Sequence, residues 1–184
     1  LSIGPRAVER IARREIPVQS WFMDANLVNS YWAGGARRSY HHTAPINALY
    51  GLHESLVILA EEGLEAAWAR HRRYHLALTA GLEAMGLELA LPDSERLPQL
   101  NVVRVPEGVD EAEVRRRLLE EYQLEVGAGL GELAGKVWRI GLMGHSCNLK
   151  NVLLAVGAFE TVLASLGAAV LTGVAEAAAH QATL

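Results

Sequence analysis

The chain is poor in cysteine, and Cys147 stands alone among 184 residues. One thiol cannot build a disulfide framework, and a reducing compartment is expected. Lysine is almost as scarce: Lys136 and Lys150 are the whole complement, so positive charge rests on arginine, much of it among Glu on helix surfaces. There is no cationic excess either. The formal net charge is -4 and the pI about 6.0, which gives no electrostatic case for nucleic acid. No apolar run reaches membrane-spanning length; the nearest, residues 162–174, is short and rich in Ala and Gly. The opening Leu1-Ser2-Ile3-Gly4-Pro5 has no basic stretch leading into an apolar one, so no secretory leader is expected, and it has no initiator Met, as in a chain that starts mid-protein. The closing Ala182-Thr183-Leu184 is not the usual peroxisomal tripeptide, and a cytoplasmic location is the default expectation. Internal repeats are absent. What is present is a hydrophobic fraction of 51%, enough for a substantial core and against disorder. The length suits one domain, or one and a half.

Periodicity divides the chain. Residues 5–14 are expected to form a short helix, with Ala7, Val8 and Ile11 apolar among Arg and Glu, stopped by Pro17. Residues 24–32 have helical spacing through Leu27, Val28, Tyr31 and Trp32, ended by Gly34-Gly35. A long helix is expected over 43–63, where Ile46, Leu49, Tyr50, His53, Leu56, Val57 and Ala60 recur at three- and four-residue steps. Such a stripe must bury against something. A second helix spans 64–85, with Gly86 after its end. From residue 87 the period changes, and 87–91, 100–105, 124–126 and 137–142 read as strands. Asp110, with Glu113 three residues on, caps a helix in a capping-box variant, and Val114, Leu118 and Tyr122 face inward. Asn148 starts a helix to about 166. This gives a small α+β layer with helices on one face of a sheet. The Ala-rich residues 168–184 are expected to be helical.

Three stretches carry candidate chemistry. In Tyr40-His41-His42-Thr43-Ala44-Pro45 a polar, aromatic loop runs into the long helix. Thr43 is placed to cap it, with Pro45 in its first turn, where the missing N–H costs little. A helix start beside two hydroxyls, those of Tyr40 and Thr43, is a candidate phosphate pocket; an ordinary capped helix with a packed Tyr explains the same residues. His71 and His75, four apart, suit a shared metal, but no third ligand follows at sensible spacing, and surface or partly buried histidines are the expected reading. Gly127-x-Gly129-x-Gly131 has the wrong spacing for a dinucleotide fingerprint and no Lys-Ser/Thr after it, so a flexible glycine loop is expected. Arg139 lies in the apolar strand Val137-Trp138-Arg139-Ile140-Gly141. Its guanidinium either pairs with a carboxylate through its fork or points to solvent from a sheet edge.

The segments YHHTAPINALYGLHESL and GLGELAGKVWRIGLMG resemble those of alanine–glyoxylate/serine–pyruvate aminotransferases, class V, fold-type I enzymes that use pyridoxal 5'-phosphate. GPRAVERI and EGLEAAWARHRRYHLAL add weaker support, and the resemblance covers about residues 2–167. It implies the C-terminal part of an α/β fold-type I transferase. Residues 1–63 would end the large domain and carry dimer-interface helices, 64–167 would be the small α+β domain, and 168–184 a helical tail outside the resemblance. It also implies that Tyr40 and Thr43 bind the cofactor phosphate of the neighbouring subunit in a homodimer with shared sites. Arg139, with the glycine loop before it, would bind the α-carboxylate of the amino or oxo acid.

The family's cofactor-bearing lysine, the Asp on the pyridine nitrogen and the aromatic stacked on the ring all precede this stretch. Neither Lys136 nor Lys150 matches, so no catalytic residue is expected here, nor any metal ligand. The implied reaction is transamination between alanine or serine and glyoxylate or pyruvate. A related class V activity, ureidoglycine–glyoxylate transamination or a lyase, is the alternative among enzymes, and Ala44-Pro45-Ile46 after Thr43 favours the first. A non-catalytic dimerisation subunit is the alternative from another class. A cofactor lysine encoded upstream of Leu1 would decide against it.

Overall fold

A computed structural model of the protein describes residues 2–32 and 39–184. The expected helix stop at Gly34-Gly35 lies outside them. The chain divides into two compact units, Leu1–Ile58 and Leu59–Leu184. Among the described residues no helix is long and apolar enough to cross a membrane.

The first unit holds α1 (Pro5–Ala12), α2 (Ala25–Trp32) and most of α3 (Ile46–Glu62). Pro5 stands at the start of α1, where its fixed φ suits the first turn. Thr43 does not cap α3. The helix begins at Ile46, its first i to i−4 bond running from Leu49 N to the Pro45 carbonyl at 3.0 Å, and Pro45 lies before the first turn rather than within it. The cause is Pro45 itself, whose ring disfavours the helical region for Ala44 and blocks extension backwards. α3 buries nothing: Ile46, Leu49, Tyr50, Leu52, Leu56 and Ile58 are all exposed.

The second unit starts at the end of α3. Gly63, at φ 84°, breaks that helix from α4 (Leu64–Ala84), a backbone region that other residues enter only under strain. Then come β1 (Leu100–Arg104), α5 (Glu111–Tyr122), β2 (Gly127–Ala128), β3 (Val137–Gly141), α6 (Leu149–Ser165) and α7 (Ala175–Gln181). The sheet is antiparallel with order β1-β3-β2. Val103, Trp138 and Ile140 point to one face and join Leu78, Leu82, Val114, Leu118, Val156 and Phe159 in the core. Trp138 meets Phe159 edge to face at 5.4 Å and donates its indole N–H to the Glu111 carbonyl. The helices thus cover one face, as the order of elements implied.

Four local expectations are corrected. Residues 87–91 make only a bridge, Leu89 opposite Val103. The strand expected at 124–126 forms at Gly127–Ala128, so the first two residues of the supposed glycine loop are ladder. The reason is the end of α5: Gln123 takes the left-handed conformation, and the amides of Gln123 and Leu124 still bond the carbonyls of Leu119 and Leu118. Pairing can start only after that cap. Asp110 accepts from Ala112 N and Glu113 N, but the Glu113 carboxylate pairs with Arg116 instead of returning to the cap. Of the segment 168–184, expected to be helical, only Ala175–Gln181 is helix; Ala175 and Ala179 are fully buried, and α7 packs on α4 and α6. Gly81 of α4 makes room, since a Cβ there would stand 3.0 Å from the Ala175 carbonyl oxygen.

Candidate active site

Tyr40 and Thr43 meet in the first unit. The Tyr40 hydroxyl lies 2.7 Å from Thr43 Oγ1, and Tyr40 is 72% exposed. One of the two protons fills that bond, which leaves the other O–H free to donate outward. The pair lacks an N-cap role and shows both hydroxyls at the surface. Beside it, His41 is buried, stacked on Trp21 at 4.0 Å.

Arg139 lies in the middle of β3, opposite Val102 of β1 on one side and Gly127 of β2 on the other. It belongs to the sheet face that the core helices leave open, and it is half-buried. Its Nε donates to the Ala128 carbonyl at 2.7 Å. Its two terminal nitrogens bond no group among the described residues. The fork lies over Gly127, where a Cβ would come within 3.3 Å of Nη2. The site therefore offers a cation with a fixed stem and two free donor nitrogens, the geometry that takes a carboxylate edge-on.

The two histidines of α4 are held by separate partners. His71 Nε2 accepts from Gly144 N at 3.1 Å, so its proton is on Nδ1 and donates to the Ala67 carbonyl at 2.6 Å. His75 Nδ1 bonds Asn101 Oδ1 of β1 at 2.7 Å. Both are buried structural ties.

Periodicity gave no sign of a clasp behind the strand. Arg70 donates through Nε and Nη2 to both oxygens of Glu62, at 2.5 and 2.8 Å, and through Nη1 to the carbonyls of Gly144 and Cys147, each at 2.8 Å. It ties the end of α3 to the turn that follows β3. The Glu62 carboxyl is held below its usual range, chiefly by the Arg70 hydrogen bonds. Burial pushes the Cys147 thiol up, so it is not an activated nucleophile.

Helices on one side of a small antiparallel sheet match the C-terminal part of pyridoxal-phosphate aminotransferase structures. No protein-family profile matches the chain. The crystal structure of ureidoglycine–glyoxylate aminotransferase from Bacillus subtilis superposes with a TM-score of 0.88 at 40% identity, over 96% of this chain and 45% of that one. That span reaches into the 17 residues of 168–184, which were expected to lie outside the resemblance. Among curated proteins, the (S)-ureidoglycine–glyoxylate transaminase of Bacillus subtilis is 41% identical over 163 residues, 89% of this chain and 39% of its own length. The alanine–glyoxylate aminotransferase of Callithrix jacchus is 38% identical over 165 residues, 89% of this chain and 40% of its own. The chain thus spans about two fifths of the length of these curated relatives. Over 89% of its length it is homologous to the class V glyoxylate aminotransferases, as the motifs indicated.

Proposed function

We propose that the complete protein to which this chain belongs transfers an amino group from alanine or serine to glyoxylate or pyruvate, with pyridoxal 5'-phosphate as cofactor. The observation that carries this reading is Arg139, a sheet arginine whose stem is fixed on Ala128 and whose guanidinium lies over Gly127 on the open sheet face. Donor and acceptor in such a reaction share one feature, an α-carboxylate, and one guanidinium can grip both in turn. Glyoxylate appears in the names of both curated relatives.

The residues present fit the cofactor's phosphate. Tyr40 and Thr43 are two neighbouring hydroxyls, one with a proton to spare, and hydroxyl donors are suited to a phosphate oxygen. Their exposure fits a role toward a group held by a second copy of the chain, and the uncovered apolar residues of α3 beside them fit a homodimer interface. When bound, the cofactor supplies the electron sink of the chemistry. This chain would supply orientation: phosphate held by Tyr40 and Thr43, carboxylate by Arg139. The cofactor-bearing lysine is assigned to no residue of this chain. Lys136 and Lys150 are both exposed, and neither matches the family's position.

The relation to the Bacillus enzyme favours a second donor, ureidoglycine, with the same acceptor. Assay of the complete protein with glyoxylate and each of alanine, serine and ureidoglycine separates the two readings by kcat/KM. The role of Arg139 is tested by Arg139→Lys, which keeps the charge and removes the fork. We expect kcat/KM to fall roughly 30- to several thousand-fold for amino acid and oxo acid alike, with cofactor affinity unchanged. An unchanged kcat/KM, or loss of cofactor with the fold intact, would show that Arg139 does not hold the substrate.

A further inference from the structure

Among the described residues of the first unit, His41 is the one buried residue, 4% exposed. Its ring lies flat on Trp21, with centroids 4.0 Å apart and planes 13° apart. Both of its nitrogens are engaged. Nε2 is 3.0 Å from the Trp21 carbonyl oxygen, and Nδ1 is 2.7 Å from Nδ1 of His42. A carbonyl only accepts, so the His41 proton sits on Nε2. A neutral imidazole in that tautomer offers Nδ1 as an acceptor, and His42 must therefore donate from its own Nδ1. The hydrogen bonds run one way, from His42 to His41 to the Trp21 carbonyl. His42 is also enclosed, edge to face with Phe22 at 5.5 Å and tilted on Tyr31 at 6.2 Å. Tyr31 in turn stands edge to face with Tyr40 at 6.0 Å.

These two histidines are the residues between Tyr40 and Thr43, in a stretch without helix or strand. Nothing in the backbone ladder of 39–45 orders it. We propose that His41 and His42 are positioning residues for the Tyr40/Thr43 pair: the directed imidazole pair, anchored on Trp21, sets the loop so that the two hydroxyls meet ready for a phosphate. The proposal rests on the reading of Tyr40 and Thr43 as phosphate ligands. A loop already ordered before binding loses less conformational entropy when the phosphate arrives, so the imidazole pair raises affinity without touching the ligand.

Titration of the cofactor-free complete protein with pyridoxal phosphate and with pyridoxal, followed by protein fluorescence, tests it. The two probes differ only in the phosphate. His41→Ala is expected to lower affinity for pyridoxal phosphate about 10-fold, the scale of a weakened hydrogen bond to a charged group, and to leave pyridoxal affinity as it was. His41→Gln, whose amide still donates to the Trp21 carbonyl, should recover part of the loss. His42→Phe keeps the edge packing on Phe22 and Tyr31 and removes the donor; it should lose the same preference even if His41→Ala does not fold. The reference is Tyr40→Phe with Thr43→Val. If that reference loses the preference for the phosphate form while the histidine variants keep it, or lower both affinities equally, the positioning role is overturned. If the reference itself keeps the preference, the phosphate reading beneath it fails first.

Discussion

At Gly127 an added Cβ would stand 3.3 Å from Nη2 of Arg139; at Gly129 it would stand 1.9 Å from the carbonyl oxygen of Leu133. The first obstacle is the far end of a flexible side chain, and the second is backbone. The two glycines, two residues apart, therefore do different jobs. Gly127→Ala should displace the guanidinium, raising KM for amino and oxo acid with little change in melting temperature. Gly129→Ala should instead destabilise the fold by about 1–3 kcal/mol or more, since the turn must open to admit a methyl group, and this reads as a lower melting temperature. Measured on the complete protein, the opposite pattern would mean that the fork of Arg139 does not sit over Gly127.

Among the elements, one ion pair spans the break between α3 and α4. Gly63 lets the chain break between the helices, and Arg70 reaches back across the break to Glu62. Both side chains are about a quarter exposed, so the pair is partly screened by water. The Arg115, Arg116 and Arg117 pairs along α5 lie within single helix turns, and pairs of that kind contribute little. The Glu62 pair joins separate elements and has a pH signature. Arg70 holds the Glu62 carboxyl below its ordinary 4.5 in the folded state. A lowered folded-state value stabilises fully above 4.5, and that stability drains away as pH falls from there through the lowered value. The melting-temperature gap between wild type and Glu62→Gln should be widest near neutrality and close on acidification through that window. A gap independent of pH would mean that the pair does not form in solution.

For the whole molecule, the proposed homodimer would cover α3. Its exposed Ile46, Leu49, Leu52, Leu56 and Ile58, with the hydroxyl pair just before its start, fit a homodimer whose sites are shared. Tyr40→Phe with Thr43→Ala in the complete protein should weaken cofactor retention by roughly 1.5–3 kcal/mol for each lost bond to a charged acceptor. Mixed with a variant lacking the cofactor lysine, this double variant should regain activity, since one hybrid site receives both intact halves. Heterodimers that form and stay inactive would place Tyr40 and Thr43 in their own subunit's site.

Local chemistry and the motif resemblance made the relation to class V aminotransferases legible, along with most helices, the strands at 100–105 and 137–142 and the one-sided sheet. These features depend on period, caps and residue type, which are written along the chain. The sequence also narrowed Arg139 to two fates, fork or solvent edge. It misplaced the strand at 127–128, which waits on the cap of α5, and the start of α3, which Pro45 sets, and it gave no place to 168–184, where α7 packs over Gly81. Only the tertiary structure showed that Gly127 and Ala128 seat the Arg139 guanidinium, that Trp21 and His41 stack, and that Arg70 reaches Glu62 and Gly144 together. Each of these joins groups far apart in sequence or across a break in regular structure. Such contacts leave no period to read, because their geometry is fixed by the packing of whole elements.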